Sequence, residues 1–526
     1  MKVNVDRPIL ITSGAYVNSE IAAEFGELPP SFLPFGHGRL FQAQISFFKR
    51  SSTRIILTIP TSFTPSLADA DWLEENDVEL LSTPDGISLG ESIRYALIVS
   101  GITGPVGILH GDNFLRDFDT SHSDVVGVAP RPASYKWGTL AGINDSPAFS
   151  DVDPTDVLCG WFSFSSAANL IKGITIANGN FVDGLKLYSD STPVISMRVD
   201  SWLDFGHLQT FYQARSKART ARSFNNIAVS NRTVLKTGDK QQKLMDEANW
   251  FDKLPPIMRM FTPKFLGWEG NGYRLAYEHS PTLHELYIFG SLGAASWQRI
   301  VGGCFEFLDA CREHSPALSK ELSGIDMPEQ VLHKTSERLE AAAASGLVSL
   351  DQEWTINGRR VPKLSVIAAE TAEIMRNSDP LLGIMHGDLC FPNMFFDFRE
   401  QIVKVIDPRG SMRDGEPSIF GDLRYDLAKL NHSLEGYDQI LSGKYSCQRY
   451  DQNLDIKFYA NPATALIKEA ALDCNIGGQT LGSASVTATT IHLFLSMLPL
   501  HADRPDRQMA FLANALRLYS ELGAES

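Results

Sequence analysis

The chain has 526 residues, and at roughly 150 residues per domain that length argues for more than one hydrophobic core. Hydrophobic residues make up 43% and charged residues 21% of the composition, the balance of a soluble, packed globular protein, which excludes a disordered or fibrous chain. Lys and Arg number 47 against 62 Asp and Glu, a formal charge of −15 whose field disfavours phosphate backbones and anionic membranes, so nucleic acid is set aside as a partner.

The N-terminal segment MKVNVDRPILITSG has a charged start and a short apolar run but neither a long apolar region nor a small-residue cleavage site, so no secretory signal is expected. From there to about residue 215, short apolar runs alternate with helical stretches: ILIT at 9 to 12, RIILTIP at 54 to 60, VELLS at 78 to 82, VGILHG at 106 to 111 and DVVGVAP at 124 to 130. Continuous apolar strands separated by helices predict an α/β domain with a mostly parallel sheet covered on both faces. The basic run RSKARTAR at 215 to 222 lacks large apolar residues and reads as a domain boundary.

From 223 to 285 the order is strand, turn, strand, helix, strand: NNIAVSN, RTVLKTG, QQKLMDEANWFDKL, YRLAYEH. This predicts a small α+β lobe. From 286 to 526 helical periodicity dominates, interrupted by one β-like segment at 384 to 407. The apolar stretch Ile491 to Leu500 is far short of the ~20 residues that a membrane span needs and predicts a core helix. The six cysteines form no CxxC pair and read as buried thiols in a reducing compartment, so a cytoplasmic protein without a zinc site is expected.

The densest chemistry lies in HGDLCFPN and IDPRG. Asp388 follows an apolar run, Asn393 lies five residues on, and Asp407 ends a second apolar run. Two strands are expected to bring these groups to one end of a hairpin-like unit. The grouping suits phosphoryl transfer: Asp388 can orient a hydroxyl and accept its proton, while Asn393 and Asp407 offer oxygen ligands to Mg²⁺ on ATP. The segment resembles the HxDxxxxN motif, with its following strand-terminal Asp, of aminoglycoside phosphotransferases and choline kinases, which share a bilobal protein-kinase-like fold. A second HGD at 110 to 112 lacks the Asn.

The resemblance covers about 220 to 526 and implies further roles. Lys236, in RTVLKTG, would hold ATP phosphates, and Glu247 in the next helix would pair with it. The loop from Ser223 to Asn226 would cover the phosphates, although it is not Gly-rich, and YEHSPTLHEL at 277 to 286 resembles the segment that binds adenine. Asp422, Asp426 and His386 would brace the catalytic loop. Arg409 and Arg413 would either hold an anionic acceptor or close the loop.

In the N-terminal part, Asp112 ends the strand GILHGD and Asp204 sits in DSWLDFGH, each with Gly within two residues. Glycine permits close backbone approach, so the two carboxylates can converge on one divalent ion. This pairing resembles sugar-phosphate nucleotidyltransferases of the GT-A-like fold, and SLGESIRYAL at 88 to 97, with Gly90, resembles their base-binding loop and helix. The chain departs from that family in its first loop, SGAYVNSEIAAEFGEL, which has neither the Gly-rich run nor the Arg, and in Ser31, which replaces a Lys. Arg39, Lys136 or Lys186 would have to neutralise a triphosphate instead.

Together the resemblances imply a bifunctional cytoplasmic enzyme of the kind associated with bacterial surface-polysaccharide synthesis. One domain would phosphorylate a small sugar or alcohol with Mg·ATP, and the other would couple that phosphate to a second NTP to give a nucleotide-activated sugar. The alternatives are a small-molecule kinase carrying an inactive nucleotidyltransferase-like binding or scaffolding domain, and a choline-type kinase joined to a cytidylyltransferase, with Trp250, Trp268 or Trp354 around the quaternary ammonium.

Overall fold

The apolar runs Ile9–Thr12, Ile55–Pro60 and Val106–His110 are buried along almost their whole length, as strands covered on both faces must be. They form the centre of the first unit in a computed structural model that describes residues 7–49, 54–116, 118–132, 156–218, 226–229, 232–314, 325–409, 411–413 and 416–523. The chain divides into two compact units, Met1–Thr220 with Phe289–Ser291, and Ala221–Ile288 with Leu292–Ser526.

The first unit holds a seven-stranded sheet in the order Ile195–Arg198, Val125–Pro130, Asp156–Phe164, Val106–His110, Ile9–Thr12, Ile55–Pro60, Val78–Thr83. All pairs are parallel except those of Asp156–Phe164, which runs against both of its neighbours. Side chains alternate along each strand. Leu10 therefore enters a core with Ile93, Leu97, Leu170 and Leu185, while Ile9 and Ile11 enter another with Phe32, Phe41, Phe48 and Trp161. Ile195–Arg198 carries no apolar run because it is an edge strand with no residue fully buried. A separate antiparallel ribbon pairs Asn113–Leu115 with Trp202–Asp204.

The basic run at 215 to 222 is not a linker from its first residue. The helix Leu208–Ala218 continues into it, and Arg215 is buried with its guanidinium over the rings of Phe211 and Tyr212. Arginine can bury its stem and planar head against aromatic faces, so a charged letter there does not mark solvent.

In the second unit, Asn226–Val229, Thr233–Thr237, Gly272–Ala276 and Phe265–Glu269 form an antiparallel sheet in that order. The helix Gln241–Lys253 buries Leu244, Trp250 and Phe251, spaced so that one face turns inward. Phe265–Glu269 has no buried residue: it is an edge strand that leaves Leu266 and Trp268 exposed, with a shift of register between Phe265 and Gly267. Further on, the helix Ala484–Met497 is buried nearly all round and packs against Met327–Ala344, Leu364–Arg376, Arg424–His432 and Pro505–Leu522. It includes most of the apolar stretch at 491 to 500, and no helix among the described residues is long and apolar enough to cross a membrane.

The β-like insert differs from the expected hairpin. Met394–Asp397 pairs with Ile402–Val405, whereas Leu382–Ile384, the strand before His386, pairs with Phe420–Asp422. Asn393 and Asp407 still meet, since Met394 is opposite Val405 and Ile406 N–H donates to Asn393 O at 2.9 Å. Asp388 reaches them from its own loop.

Candidate active sites

The loop after Leu382–Ile384 is held by its backbone. His386 N–H and Gly387 N–H donate to the two oxygens of Asp426, each at 2.8 Å, and Arg409 N–H donates to His386 O at 2.7 Å. Gly387 has φ +78°, and a Cβ there would lie 2.8 Å from the Cβ of Arg409, so only glycine fits. His386 is fully buried. Its Nδ1 accepts from Asp388 N–H at 3.2 Å and its Nε2 donates to Ile406 O at 3.0 Å, which defines a neutral ring. Burial keeps it uncharged by lowering its pKa to about 4. Through these two bonds the ring ties the backbone of Asp388 to Ile406. Burial raises the pKa of Asp426 to about 7, although its two N–H donors favour the anion.

This scaffold presents Asp388, whose side chain is 43% exposed. Asn393 Nδ2 donates to Asp388 Oδ2 at 3.1 Å, and Lys429 Nζ lies 2.9 Å from Oδ1. Partial loss of water around the carboxylate opposes ionisation, but Lys429 outweighs it and holds Asp388 well below the usual carboxylate range. Since Asn393 donates through Nδ2, its amide oxygen is the atom it has to offer a cation. Lys429 was missed in the sequence, although a signal existed. It lies one helical turn after Asp426, so a helix that aims Asp426 at the loop aims Lys429 there too.

Lys236, on Thr233–Thr237, is buried between two carboxylates. Its Nζ is 2.6 Å from Glu247 Oε2 and 3.1 Å from Asp407 Oδ1. Tyr273 O–H donates to Glu247 Oε2 at 2.8 Å, which fixes the glutamate. Burial would lower the pKa of Lys236, but Asp407 and Glu247 together raise it, so the ammonium is kept charged. Asp407 has φ +58°, a conformation costly for a residue with a Cβ and concentrated at functional sites. Asp407, Asn393 and Asp388 thus form one group with Lys236. Oxygen donors of this kind fit a hard divalent cation. Ser223 lies outside the described residues, and Asn226 begins the strand that pairs with Thr233–Thr237.

In the first unit, Asn113 is opposite Asp204 across the antiparallel ribbon, which carries Asp112 to the side of Asp204. Phe205 N–H donates to Asp112 O at 2.8 Å. A Cβ on Gly206 would fall 2.3 Å from Asp112 Oδ2 and 3.4 Å from Asp204 Oδ1, so the glycine leaves the space that both carboxylates face. Asp204 is held by His207 Nδ1 at 2.9 Å and by the Thr210 hydroxyl. Asn113 Nδ2 donates to Asp112 Oδ1 and Trp202 Nε1 donates to Asn113 Oδ1, each at 2.6 Å. Burial first, and then Asp204, raise the pKa of Asp112 to about 7. A buried carboxylate whose ionisation is opposed by a second carboxylate beside it fits a site completed by a cation.

The other residues expected there serve packing. Gly90 is buried and faces Gly179 O, 2.3 Å from where its Cβ would be, which accounts for the glycine without a nucleotide. Arg39 is buried and pairs with Asp69 at 3.0 Å, so its charge is already matched and it does not answer to a triphosphate. Lys186 pairs with Asp183 at 3.1 Å, and Lys136 lies outside the described residues. Ser31, where the family has Lys, is buried with its hydroxyl on Gly111 O at 3.0 Å. Trp250 and Trp354 are buried in the core, Trp250 donating to Met385 O at 2.9 Å, so neither lines a choline site; Trp268 is 43% exposed.

No protein-family model matches the chain, and no curated protein does. Solved structures similar to it fall into two sets. A nucleoside-diphosphate-sugar pyrophosphorylase of Vibrio cholerae is 12% identical, with 40% of this chain and 99% of that one covered and a TM-score of 0.31. A choline kinase of Cryptosporidium parvum is 11% identical, covering 58% of this chain and 88% of that one at a TM-score of 0.34. A gentamicin complex of an aminoglycoside phosphotransferase is 13% identical, covering 58% and 89% at 0.33. The nucleotidyltransferases match the N-terminal part of the chain.

Proposed function

We propose that the second unit is an ATP-dependent phosphotransferase acting on a hydroxyl group. The observation that carries this reading is the joint placement of Asp388, Asn393, Asp407 and Lys236 in one unit, with Lys236 fixed by Glu247. Mg·ATP, when bound, supplies the phosphoryl group and the charge neutralisation that its transfer requires. Asn393 and Asp407 would hold the metal through oxygen atoms. Lys236 would pair with phosphate oxygens, its charge maintained by its two carboxylates. Asp388 orients the acceptor hydroxyl and takes its proton. Its low basicity suits a step in which that proton leaves late and positioning dominates.

The first unit would bind a divalent cation between Asp112 and Asp204 and couple a phosphate to an NTP, releasing pyrophosphate. A second reading, an inactive domain that binds or scaffolds, is favoured by one observation: the buried cation Arg39 is committed to the buried carboxylate of Asp69. Two assays on the full chain separate these readings. ADP release with Mg·ATP and a panel of small alcohols and sugars, abolished by Asp388→Asn, tests the kinase. Pyrophosphate release from each of four NTPs with a sugar 1-phosphate panel, abolished by Asp112→Asn, tests the transferase. No ADP release above the Asp388→Asn background would overturn the first reading, and no pyrophosphate release would leave the second unit's kinase with a binding domain.

A further inference from the structure

Two helices of the second unit carry cations, and in one case a phenol, at helical spacing. Lys334 and Arg338 are four residues apart on Met327–Ala344, and Tyr425 and Lys429 are four apart on Arg424–His432, so each pair shares a face. Both helices are fixed on Ala484–Met497. Thr335 bonds His492 at 3.0 Å, Arg338 donates to Ser496 O at 2.6 Å, and Thr490 donates to Ala428 O at 3.3 Å. Lys334 is within electrostatic reach of Tyr425, Arg409, Lys429 and Arg338, and Tyr425 is within reach of Asp388.

Among the described residues the buried carboxylates that face this group are already engaged, since Asp388 pairs with Lys429 and Asp426 accepts two backbone N–H groups. Glu337, which acts on Arg338, is exposed to solvent beside His333. Among the described residues neither Lys334 nor Arg409 forms an ion pair. Half-buried cations that repel one another destabilise the fold unless an anion joins them. The cluster also acts on its neighbour: burial would raise the pKa of the fully enclosed Tyr425, yet Lys334, Lys429 and Arg409 bring it down to about 8. The ATP phosphates already have Lys236, and the cluster meets the site through Asp388, the residue that handles the acceptor.

We infer that the acceptor phosphorylated at Asp388 is an anion, a sugar or small alcohol carrying a phosphate or carboxylate group that Lys334, Arg338 and Arg409 engage. This rests on the kinase reading and adds its substrate class. Arginine and lysine at such a spacing suit an oxyanion with several acceptor oxygens, and they exclude a cationic acceptor by repulsion.

The test uses the full chain, Mg·ATP and matched acceptors: glucose, glucosamine, glucuronate and glucose 6-phosphate, with glycerol, choline and glycerate as a second set. ADP release should respond to the anionic members, and the carboxylate and phosphate arms tell which oxyanion is used. Lys334→Gln should raise the acceptor KM on the order of tenfold, the worth of a charge-assisted hydrogen bond, with the ATP KM unchanged. Lys334→Arg should retain the parent value, which separates loss of charge from loss of fold. Turnover confined to neutral or cationic members overturns the inference while the kinase reading stands. So does ADP release unresponsive to every anionic member, or a rise in the ATP KM alone. Loss of all ADP release and of any stabilisation by Mg·ATP overturns both.

Discussion

Lys429 Nζ lies 2.9 Å from Asp388 Oδ1, an ion pair that joins the helix Arg424–His432 to the loop carrying the candidate base. The pair holds Asp388 ionised far below neutrality, with partial loss of water around the carboxylate working in the opposite direction. Lys429→Met removes the charge and retains the stem. Asp388 should then titrate higher, so the acid limb of the kcat profile should move up in pH, with kcat at neutral pH falling about tenfold or more as the carboxylate loses its orientation. A pH profile of ADP release from pH 4 to 9 checks this. An unmoved acid limb would show that Lys429 serves only to pack.

Glu247 is nearly buried and bonds both Lys236 and Tyr273. Glu247→Ala leaves a buried ammonium with one partner fewer, and removing one side of a buried pair costs about 3–5 kcal/mol. The second unit should lose much of its stability, as read by thermal unfolding of the full chain. Glu247→Gln keeps the Tyr273 hydrogen bond and the volume, so it should fold, with the ATP KM raised and the acceptor KM unchanged.

What the sequence revealed and what it concealed differ in physical kind. HGDLCFPN was legible because short-range spacing fixes it: Asn393 meets Asp388 within one loop, and their bond follows from five intervening peptide units. Asp112 and Asp204 were legible as a pair only through glycines beside each, since their meeting depends on a ribbon between distant strands. The edge strand Ile195–Arg198 was not read because it carries no continuous apolar run, and Phe265–Glu269 was not read because Gly267 and a shift of register interrupt its apolar residues Phe265, Leu266 and Trp268. Arg39 looked available because a sequence does not display its partner, and Asp69 is thirty residues away. The pairing of Leu382–Ile384 with Phe420–Asp422 was hidden for the same reason, because strand adjacency over that separation is a tertiary outcome.

Burial and the neighbouring charge of Asp204 oppose the ionisation of Asp112. Asp112→Asn keeps the acceptor for Asn113 and removes that repulsion, so in metal-free buffer the variant should unfold at a temperature equal to or above that of the parent. Added Mn²⁺ should stabilise the parent by a few degrees and the variant not at all, since only a ligand that binds the native state shifts its unfolding. Opposite effects on stability and on binding are the mark of a site kept for function. Equal stabilisation of both proteins by Mn²⁺ would place the cation elsewhere.

His492 gives the second unit a defined acid sensitivity. It is buried between Thr371, 2.9 Å from Nε2, and Thr335, 3.0 Å from Nδ1. The Thr371 hydroxyl also bonds Ile367 O at 2.6 Å, so its hydrogen is spent there and Nε2 must be the donor; Nδ1 then accepts from Thr335. Burial lowers the pKa of the ring from 6.5 to about 4. The sign follows. Above pH 6.5 both folded and unfolded forms carry a neutral ring, and its full contribution is present. As pH falls from 6.5 towards 4 the unfolded chain takes a proton that the folded ring refuses, a loss of about 2 kcal/mol by pH 5. His492→Gln retains one donor and one acceptor without titrating. Hydrogen exchange along Ala484–Met497, corrected for intrinsic rates, should show the variant equal to or below the parent in protection at pH 7.5 and closer to it or above it at pH 5. The same loss of protection in both proteins between those pH values would assign the acid sensitivity to other groups.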